Sequence, residues 1–543
     1  MQSKELPSVF KTKTQPSEIW SEYEACMQYN RQLGRHGLYE QVKLNERMVS
    51  GDQWYGVKAP DIDKPVLNFL RRAVMYLISM IASDNIGVNV QLQGDDSLNK
   101  RAVEKYLTEE MDAIMEQTSL LSKLRSCIRD AAVDGDACLY AYWNADEECI
   151  AVELLANTSC LFGNPIIQTV QEQPFIILEQ HRDVREVQLQ AWRAGVEGWQ
   201  SISADDAQYN RQSDAPLGSS TVTVLKKFWR DARTGNIWFT ECTSKLTLRE
   251  PTDTALSRYP IAWMNWEQIK ESYHGNAVIT GLVPNQIAIN RLWAGAIWHE
   301  RMLAFPKVFY DAKRLPKGWS NRPGESIAVL GGTGVDNVAT AFKAPDMSSE
   351  LKDIVDRTIT MTRDFIGVND VVLGNIRPDN TSAIVAVQQS TAAPLQLQRM
   401  AFYQFVEDII RVFANLIFVN YGSRQVQLNV SVTDPMTGMD RNEEQLVDIE
   451  FTPLLFRALR LRVDIGEAAY WSELMQLQTM DNLFAKGLIP DALLYIESIP
   501  DKYLPTKSKL VEALQQKLNQ MQGEAVVQGA QDMGGMQGAV PIM

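Results

Sequence analysis

The sequence contains few side chains that could bind a metal or catalyse a reaction at the spacings that such chemistry needs. Its four histidines are scattered along the chain, at His36, His181, His274 and His299. His299 and Glu300 begin the H-E-x-x-H pattern, which places two zinc ligands on one helix face, but Leu303 stands where the second histidine is required. The histidines therefore predict no metal cluster.

One glycine-rich segment looks like a phosphate-binding loop but lacks its functional end. Gly331-Gly332-Thr333-Gly334 is not followed by the Gly-Lys-Ser/Thr that contacts the phosphates and magnesium, and it lies among short predicted strands. We interpret it as a turn, and the sequence has no G-x-S-x-G nucleophile elbow either. Carboxylates are abundant, so a carboxylate–metal site stays open as an alternative that counting residues does not exclude.

Four of the six cysteines, Cys127, Cys138, Cys149 and Cys160, recur every eleven residues. No C-x-x-C pair occurs, and the sequence between them changes from a helical to a strand-like pattern. We interpret the period as coincidence and expect reduced, partly buried thiols. The sequence thus predicts no cofactor.

The composition describes a large, acidic, globular protein. A chain of 543 residues is too long for one hydrophobic core, so several folding units are expected. The net charge of −14 argues against long-range steering of DNA onto the protein. The apolar run from Ala73 to Ala82 is too short to cross a bilayer, and the first ten residues lack a secretory signal, so we expect no membrane contact and a location in a cytoplasm.

Helical and strand-like patterns alternate in the first half of the chain. Apolar spacing and turn residues predict helices and paired strands there. The predicted helices span Ser17–Ser50, a segment after Pro65, and Asn99–Val133 with a break near Thr118; the predicted strands are Ile86–Leu92, the pair Ala137–Trp143 and Ile150–Leu155, and a hairpin of Thr221–Arg230 and Asn236–Cys242.

The second half contains a helix, a glycine- and proline-rich stretch, a helix, a polar loop and a further helix. These segments span Pro284–Phe305, Pro306–Pro345, Ser348–Ile366, Gly367–Asn380 and Thr381–Asn420, the last with a kink at Pro394. Short strands are predicted at Lys307–Tyr310 and Ser326–Leu330. Strands at Val426–Val432 and Arg460–Asp464 and helices at Glu467–Ala485, Asp491–Ile496 and Lys507–Met521 follow, before a Gln/Gly/Met-rich tail of a composition typical of disorder.

Three short motifs, in their order along the chain, resemble the portal proteins of tailed bacteriophages over about residues 20 to 500. A fourth motif, nearer the N-terminus, adds to the resemblance. One is Asn285 to Leu292, which carries Gln286, Asn290 and Arg291 in a Gln-x-x-x-Asn-Arg pattern. The others are Gly367-Val368-Asn369-Asp370 through Gly374, Asp379-Asn380-Thr381-Ser382-Ala383-Ile384 followed by Gln388-Gln389, and Gly51-Asp52-Gln53-Trp54 followed by Leu67-Asn68-Phe69.

The resemblance implies an α+β, mainly α, portal fold with wing, stem, clip and crown regions. It divides the chain into an N-terminal wing (1–283), a first stem helix (284–305), a clip (306–347), a second stem helix (348–366), a tunnel loop (367–380), a kinked wing helix with returning strands (381–466), and crown helices with a tail (467–543).

The same resemblance implies a structural role in the virion. Portal subunits form a homo-oligomeric ring, usually of twelve, at one capsid vertex, and double-stranded DNA passes through it non-specifically during packaging and ejection. The implied partners are the major capsid and scaffolding proteins, the terminase, and the head–tail connector proteins. The protein would be in the host cytoplasm during assembly and would not be an enzyme.

Three groups of residues are candidates for these tasks. The DNA channel should carry mixed charge that does not hold phosphate, and its candidates are Lys352, Asp356, Arg363, Asn369, Asn375, Arg377, Asp379 and Asn380. Between Pro306 and Pro345 the clip has six basic against three acidic residues, so Lys313, Arg314, Lys317 and Arg322 are candidates for partner docking or form a solvated face. Candidates for the subunit interface, or for packing within the subunit, are Trp293, Ile297, Leu351, Ile354, Thr358 and Phe365.

Two other functions stay open. Another head–tail structural protein is disfavoured by the length and by the order of helices, clip and loop. A nucleic-acid-processing enzyme with an unrecognised carboxylate–metal site would cleave DNA in a metal-dependent way, whereas a portal would not.

Overall fold

The computed structural model describes residues 12–82, 88–93, 98–205, 221–304, 308–315, 317–318, 328–331, 338–341, 349–365, 395–433, 440–452 and 460–464, and the single residues 456, 480 and 496. The chain divides into two compact units. The first comprises Met1–Asp84 and Val90–Val463, and the second comprises Asn85–Asn89 and Asp464–Met543. Of the second unit the structure describes only residues 88–89, 464, 480 and 496.

The described part combines α-helices with antiparallel sheets. The helices are α1 (Pro16–Gln32), α2 (Leu38–Ser50), α3 (Phe69–Ile81), α4 (Leu98–Gln117), α5 (Leu120–Asp134), α6 (Val184–Arg193), α7 (Val278–Ala304), α8 (Ser349–Phe365) and α9 (Gln396–Asn420). Single 3₁₀ turns occur at Asn157–Ser159, Val170–Glu172 and Trp199–Ser201. Among these residues, no helix is both long enough and apolar enough to cross a bilayer.

The strands form several small sheets and one larger one. The strands are β1 (Asn89–Gln93), β2 (Asp136–Asn144), β3 (Cys149–Leu155), β4 (Cys160–Phe162), β5 (Phe175–Asp183), β6 (Thr221–Arg230), β7 (Ile237–Cys242), β8 (Thr247–Asp253), β9 (Ile261–Asn265), β10 (Glu267–Gln268), β11 (Gly275–Asn276), β12 (Val308–Tyr310), β13 (Ala339–Ala341), β14 (Ser423–Thr433), β15 (Asp440–Glu450) and β16 (Arg460–Asp464). The largest sheet has the order β4-β5-β6-β7-β8, and a second has the order β3-β2-β9. The pairs β1–β16, β10–β11, β12–β13 and β14–β15 form two-stranded sheets.

Both strand pairings expected in the first half are confirmed. Strands β2 and β3 are antiparallel neighbours, with Tyr140 opposite Glu153. Strands β6 and β7 form the predicted hairpin, with Phe228 opposite Phe239. Short apolar runs bounded by turn residues were sufficient here, because β2 and β6 are buried along most of their length.

The single helix expected over Ser17–Ser50 is wrong, since α1 and α2 are separated by a turn. Gly34 and Gly37 both have positive φ, a conformation that a helix does not contain. At Gly37 a Cβ atom would lie 2.5 Å from the carbonyl oxygen of Arg31, so only glycine fits. The break expected near Thr118 is confirmed, because α4 ends at Gln117 and α5 begins at Leu120.

Helix α7 begins at Val278, six residues before the expected start at Pro284. An interior proline costs a helix about 3 kcal/mol, which is why the sequence suggested that Pro284 occupied the first turn. The turns before it bury Ile279, Leu282 and Val283. Full burial of each such side chain contributes about 1.5–3 kcal/mol, so packing outweighs the proline.

The remaining predicted elements of the second half are confirmed in part. Helix α8 and strands β12, β14 and β16 lie where the sequence indicated, and α9 covers the later part of the expected Thr381–Asn420 helix. The strand expected at Ser326–Leu330 is wrong over its described residues 328–330, and β12 pairs with β13 instead. The segment before Pro394, the tunnel loop and the C-terminal helices lie outside the described residues, apart from residues 480 and 496.

Helix α1 is joined to the five-stranded sheet by apolar packing and by one buried ion pair. Ile19, Tyr23 and Met27 pack against residues of β4, β5 and β6. The Lys227 ammonium, 1% exposed, donates to Glu22 Oε2 (2.6 Å) and to the carbonyl of Lys13 (2.9 Å). Burial lowers the pKa of Lys227, and the Glu22 carboxylate opposes that shift.

Replacing Glu22 by alanine should therefore destabilise the fold by about 3 kcal/mol, because it leaves the Lys227 charge buried without its counter-ion. Urea denaturation at fixed protein concentration measures this loss. Glu24→Ala removes an exposed carboxylate from the same helix and should change the unfolding free energy by less than about 0.5 kcal/mol. Equal losses in the two variants would contradict a stabilising role for the pair.

Candidate functional site

The two helices that flank the glycine- and proline-rich stretch, α7 and α8, pack side by side. The side chain of Asn285 on α7 donates to Thr362 Oγ1 on α8 (3.2 Å), and Thr362 is buried. With 27 and 17 residues the helices extend about 40 and 25 Å. Between them along the chain, β12 and β13 form a short antiparallel pair with Val308 opposite Ala341.

Buried amides hold the first turns of α7 to the N-terminal helices. Gln286 Nε2 donates to the carbonyl of Leu67 (2.8 Å) and to Asn290 Oδ1 (2.9 Å), and Asn290 Nδ2 donates to Gln53 Oε1 (2.6 Å). Asn45 on α2 donates to Thr280 Oγ1 (2.9 Å) and to a carbonyl of α5. A buried amide without a hydrogen-bond partner lowers the folding stability by about 1–3 kcal/mol. These contacts therefore fix the position of the first turns of α7 relative to the N-terminal helices.

The amides also bring together two of the four motifs found in the sequence. The segment of residues 51–68, which we call the strap, carries the Gly51-Asp52-Gln53-Trp54 and Leu67-Asn68 pattern. It is closed at its base by the Trp54 indole, which donates to the carbonyl of Pro65 (2.9 Å). Asp63 of the strap also pairs with Arg301 of α7 (3.3 Å). Sequence reasoning found both motifs but did not predict their contact, because more than 200 residues separate them.

The expected interface residues divide into exposed and half-buried positions. Trp293 is 41% exposed and Ile354 is 53% exposed, while Ile297 and Thr358 are half-buried. The Thr358 hydroxyl donates to the carbonyl of Ile354 in its own helix (2.7 Å). Leu351 and Phe365 lie on α8, but their side chains are outside the description. Exposure of a tryptophan and an isoleucine on adjacent helices leaves apolar surface that folding of this unit does not cover.

Of the expected channel residues, three lie on α8 and the others lie outside the described residues. Asp356 is exposed, beside exposed Asp353 and Arg357, so this stretch of helix carries both signs of charge. Lys352 and Arg363 are on the same helix, with side chains outside the description. Asn369, Asn375, Arg377, Asp379 and Asn380 fall in the part of the chain that the structure does not describe.

The expected clip residues lie next to strand β12. Lys313 and Lys317 are exposed, Arg314 is half-buried, and Arg322 is outside the described residues. The turn that carries the first three is held by Asp311, whose carboxylate accepts from the backbone N–H of Lys313 (2.9 Å). Exposed Phe309 and Tyr310 precede it, so apolar and basic groups occupy neighbouring positions.

A histidine–aspartate pair that the sequence did not indicate lies in the protein interior. His274 Nδ1 is 2.6 Å from Asp136 Oδ2, and His274 Nε2 is 3.2 Å from Asn30 Oδ1. The other Asp136 oxygen accepts from the backbone N–H of Gly275 and from Asn265. Both ring nitrogens have partners and the pair is fully buried, so its role is to brace α1 against β2 and β9.

The described residues contain no group of three or more His, Cys, Asp and Glu side chains that could hold a metal. The four regularly spaced cysteines lie on α5, β2, β3 and β4, and all six thiols are free. Four are buried, and desolvation raises the pKa of Cys127 and Cys138, which makes them inert. Burial and the nearby Glu46 carboxylate raise the pKa of Asp134 to about 8.

Neither a protein-family model nor a curated protein sequence matches this chain. The family is therefore not established by sequence similarity. A functional proposal depends on the geometry of α7, α8 and the strap, together with the motifs that they carry.

Replacing Asn290 by alanine should loosen the strap, because Gln53 and Gln286 each lose a buried partner. Loss of about 1–2 kcal/mol raises the open fraction of the strap about 5- to 30-fold. Trypsin cleavage after exposed Lys58 measures that fraction. Arg291→Ala, an exposed change in the same motif, is the matched control and should leave the cleavage rate unchanged. Equal cleavage of both variants would show that the amides do not hold the strap.

Proposed function

We propose that this chain is a portal subunit, which forms a ring-shaped channel for double-stranded DNA at one vertex of a tailed-phage capsid. In this proposal α7 and α8 are the stem, the segment between them is the clip that docks the terminase and later the head–tail connector proteins, and residues 367–380 are the tunnel loop. The ring would assemble with the major capsid and scaffolding proteins.

The observation that carries the proposal is the arrangement of α7 and α8. Two long helices pack side by side, are linked through a small β-pair, and are anchored at one end by buried amides of the Gln286–Asn290 motif. Such an anchored pair can extend from a folded body without losing its orientation. This is the arrangement that the resemblance implies for a stem.

Exposed apolar groups on both helices support self-association. Identical subunits that contact each other through two unlike surfaces form closed rings when the rotation between them allows it. Trp293, Trp298, Ile354 and Met361 are each at least 40% exposed. Covering them against another subunit would remove apolar surface from water, which favours assembly.

The charge pattern suits a duplex that must move. DNA carries one negative charge per about 1.7 Å of axis, and each neutralised phosphate adds affinity. Asp353 and Asp356 next to Arg357 present no uniform positive surface along the described part of α8. A conduit of this kind guides DNA without retaining it, and the energy for packaging would come from the ATP-driven terminase.

The purified, untagged protein should form large rings with a central hole. A ring of twelve would have a mass of about 740 kDa, twelve times the subunit mass of 61.3 kDa. Light scattering after size exclusion gives the mass, and negative-stain images give the symmetry. A chain that stays monomeric even when co-expressed with its capsid and scaffolding proteins would overturn the proposal.

The same preparation separates a portal from a nucleic-acid-processing enzyme. Incubation of the protein with linear and supercoiled DNA and with Mg²⁺ or Mn²⁺ should give no cleavage. Metal-dependent cleavage that disappears when single acidic residues are replaced would favour the enzyme.

Deletion of residues 375–379 should leave ring formation intact and impair DNA packaging or retention. The segment is polar and lies between two helices with apolar stripes in the sequence. Ring formation is measured by negative stain, and packaging by nuclease-protected DNA in complemented particles. A deletion mutant that forms no rings would show that the segment is structural.

A further inference from the structure

The strap leaves several apolar side chains exposed to water although it is attached at its base. Val57, Ile62 and Val66 are each 40–44% exposed. The strap is held to α7 at Asn290 and again at Arg301, positions that are about 16 Å apart along the helix. A held segment with exposed apolar groups presents a preformed surface, which binds with little loss of conformational entropy.

The strap and α8 lie on different flanks of α7. Each residue advances about 100° around a helix, so Gln286 and Asn290, which contact the strap, point about 100–140° away from Asn285, which contacts α8. The order across this unit is therefore strap, α7, α8. One flank of α7 is covered by the strap, and another is covered by α8.

One side of α8 carries its own apolar pair. Ile354 and Met361, 53% and 55% exposed, are seven residues apart and lie within about 20° of each other around the helix. Both point about 80–100° away from Thr362, which faces α7. Exposed Asp353 and Arg357 flank the pair.

A second copy of this chain is the occupant that fits both flanks. A ring needs two unlike surfaces of each subunit that match each other, and here the strap presents Val57, Ile62 and Val66 while α8 presents Ile354 and Met361. Both surfaces also carry exposed charges of both signs, Asp61 and Lys64 on the strap and Asp353 and Arg357 on α8, so opposite charges can pair across the contact. An unrelated partner would not need to match both flanks at once.

We propose that the strap of one subunit packs its exposed apolar side chains against the side of α8 in the next subunit that carries Ile354 and Met361, with Ile62 next to both of them. This inference deepens the proposed function and rests on it. It makes residues 51–68 an inter-subunit element, in addition to their contact with α7 in the same chain.

Photo-crosslinking in the assembled full-length protein tests the contact. Benzoylphenylalanine at position 62 should give covalent dimers and higher multimers on denaturing gels after irradiation. Mass spectrometry of tryptic digests should find the attachment in residues 353–357 or 358–363. The same photo-reactive residue at exposed Leu189 of α6 is the matched control and should give no such multimers.

The outcomes distinguish the inference from the proposed function. Rings that form but crosslink only within one chain, or to residues outside α8, would overturn the strap contact and leave the portal proposal intact. Failure of the wild-type protein to form rings with its capsid and scaffolding partners would overturn both.

A charge placed in the contact gives a second test. Ile62→Asp should raise the concentration needed for ring formation by about tenfold or more, because a carboxylate would be buried at an apolar contact. Leu189→Asp is the control and should leave assembly unchanged. Circular dichroism melting separates this effect from misfolding, since both positions are exposed in the subunit. Unchanged ring formation by Ile62→Asp would contradict the proposal.

Discussion

The need to satisfy buried amides determines how the long helix is held in this protein. Asn45, Gln286 and Asn290 are each at most 3% exposed. Burying an amide without hydrogen-bond partners lowers the folding stability by more than its packing raises it. The available partners are the strap, the neighbouring helices α2 and α5, and Thr280 of α7 itself. Several segments far apart in sequence are thereby brought to one end of α7.

That constraint separates α7 into two parts with different roles. Its first turns are buried among α2, α3 and α5, and this packing offsets the loss of helix stability at Pro284. Its later turns expose Trp293 and Trp298. Helix α8 repeats the contrast, with Thr362 buried and Ile354 exposed. A pair of helices that is anchored at one end and has uncovered apolar surface is suited to association with further copies.

The buried ionic and histidine contacts elsewhere in the unit stabilise the scaffold and do not perform chemistry. Lys227 with Glu22, and His274 with Asp136, each join α1 to strands, and each charged or polar atom in these contacts has close partners. A catalytic site needs an accessible reacting group, which the fully buried histidine does not provide.

The sequence by itself determined the local elements that a helical apolar stripe or short apolar runs between turn residues indicate: α8 within one residue at each end, the β2–β3 pair and the β6–β7 hairpin. It did not predict β15, because Asp440–Glu450 is rich in acidic and amide residues that strands seldom contain, and only pairing with β14 along eleven residues makes it a strand. It also placed the start of α7 too late, because local rules for proline do not include the burial of the preceding turn.

The tertiary structure alone decided that the strap lies against α7 and which faces of α7 and α8 remain uncovered. Contacts between residues more than 200 positions apart leave no periodic signal, since they depend on the folded path of the whole unit.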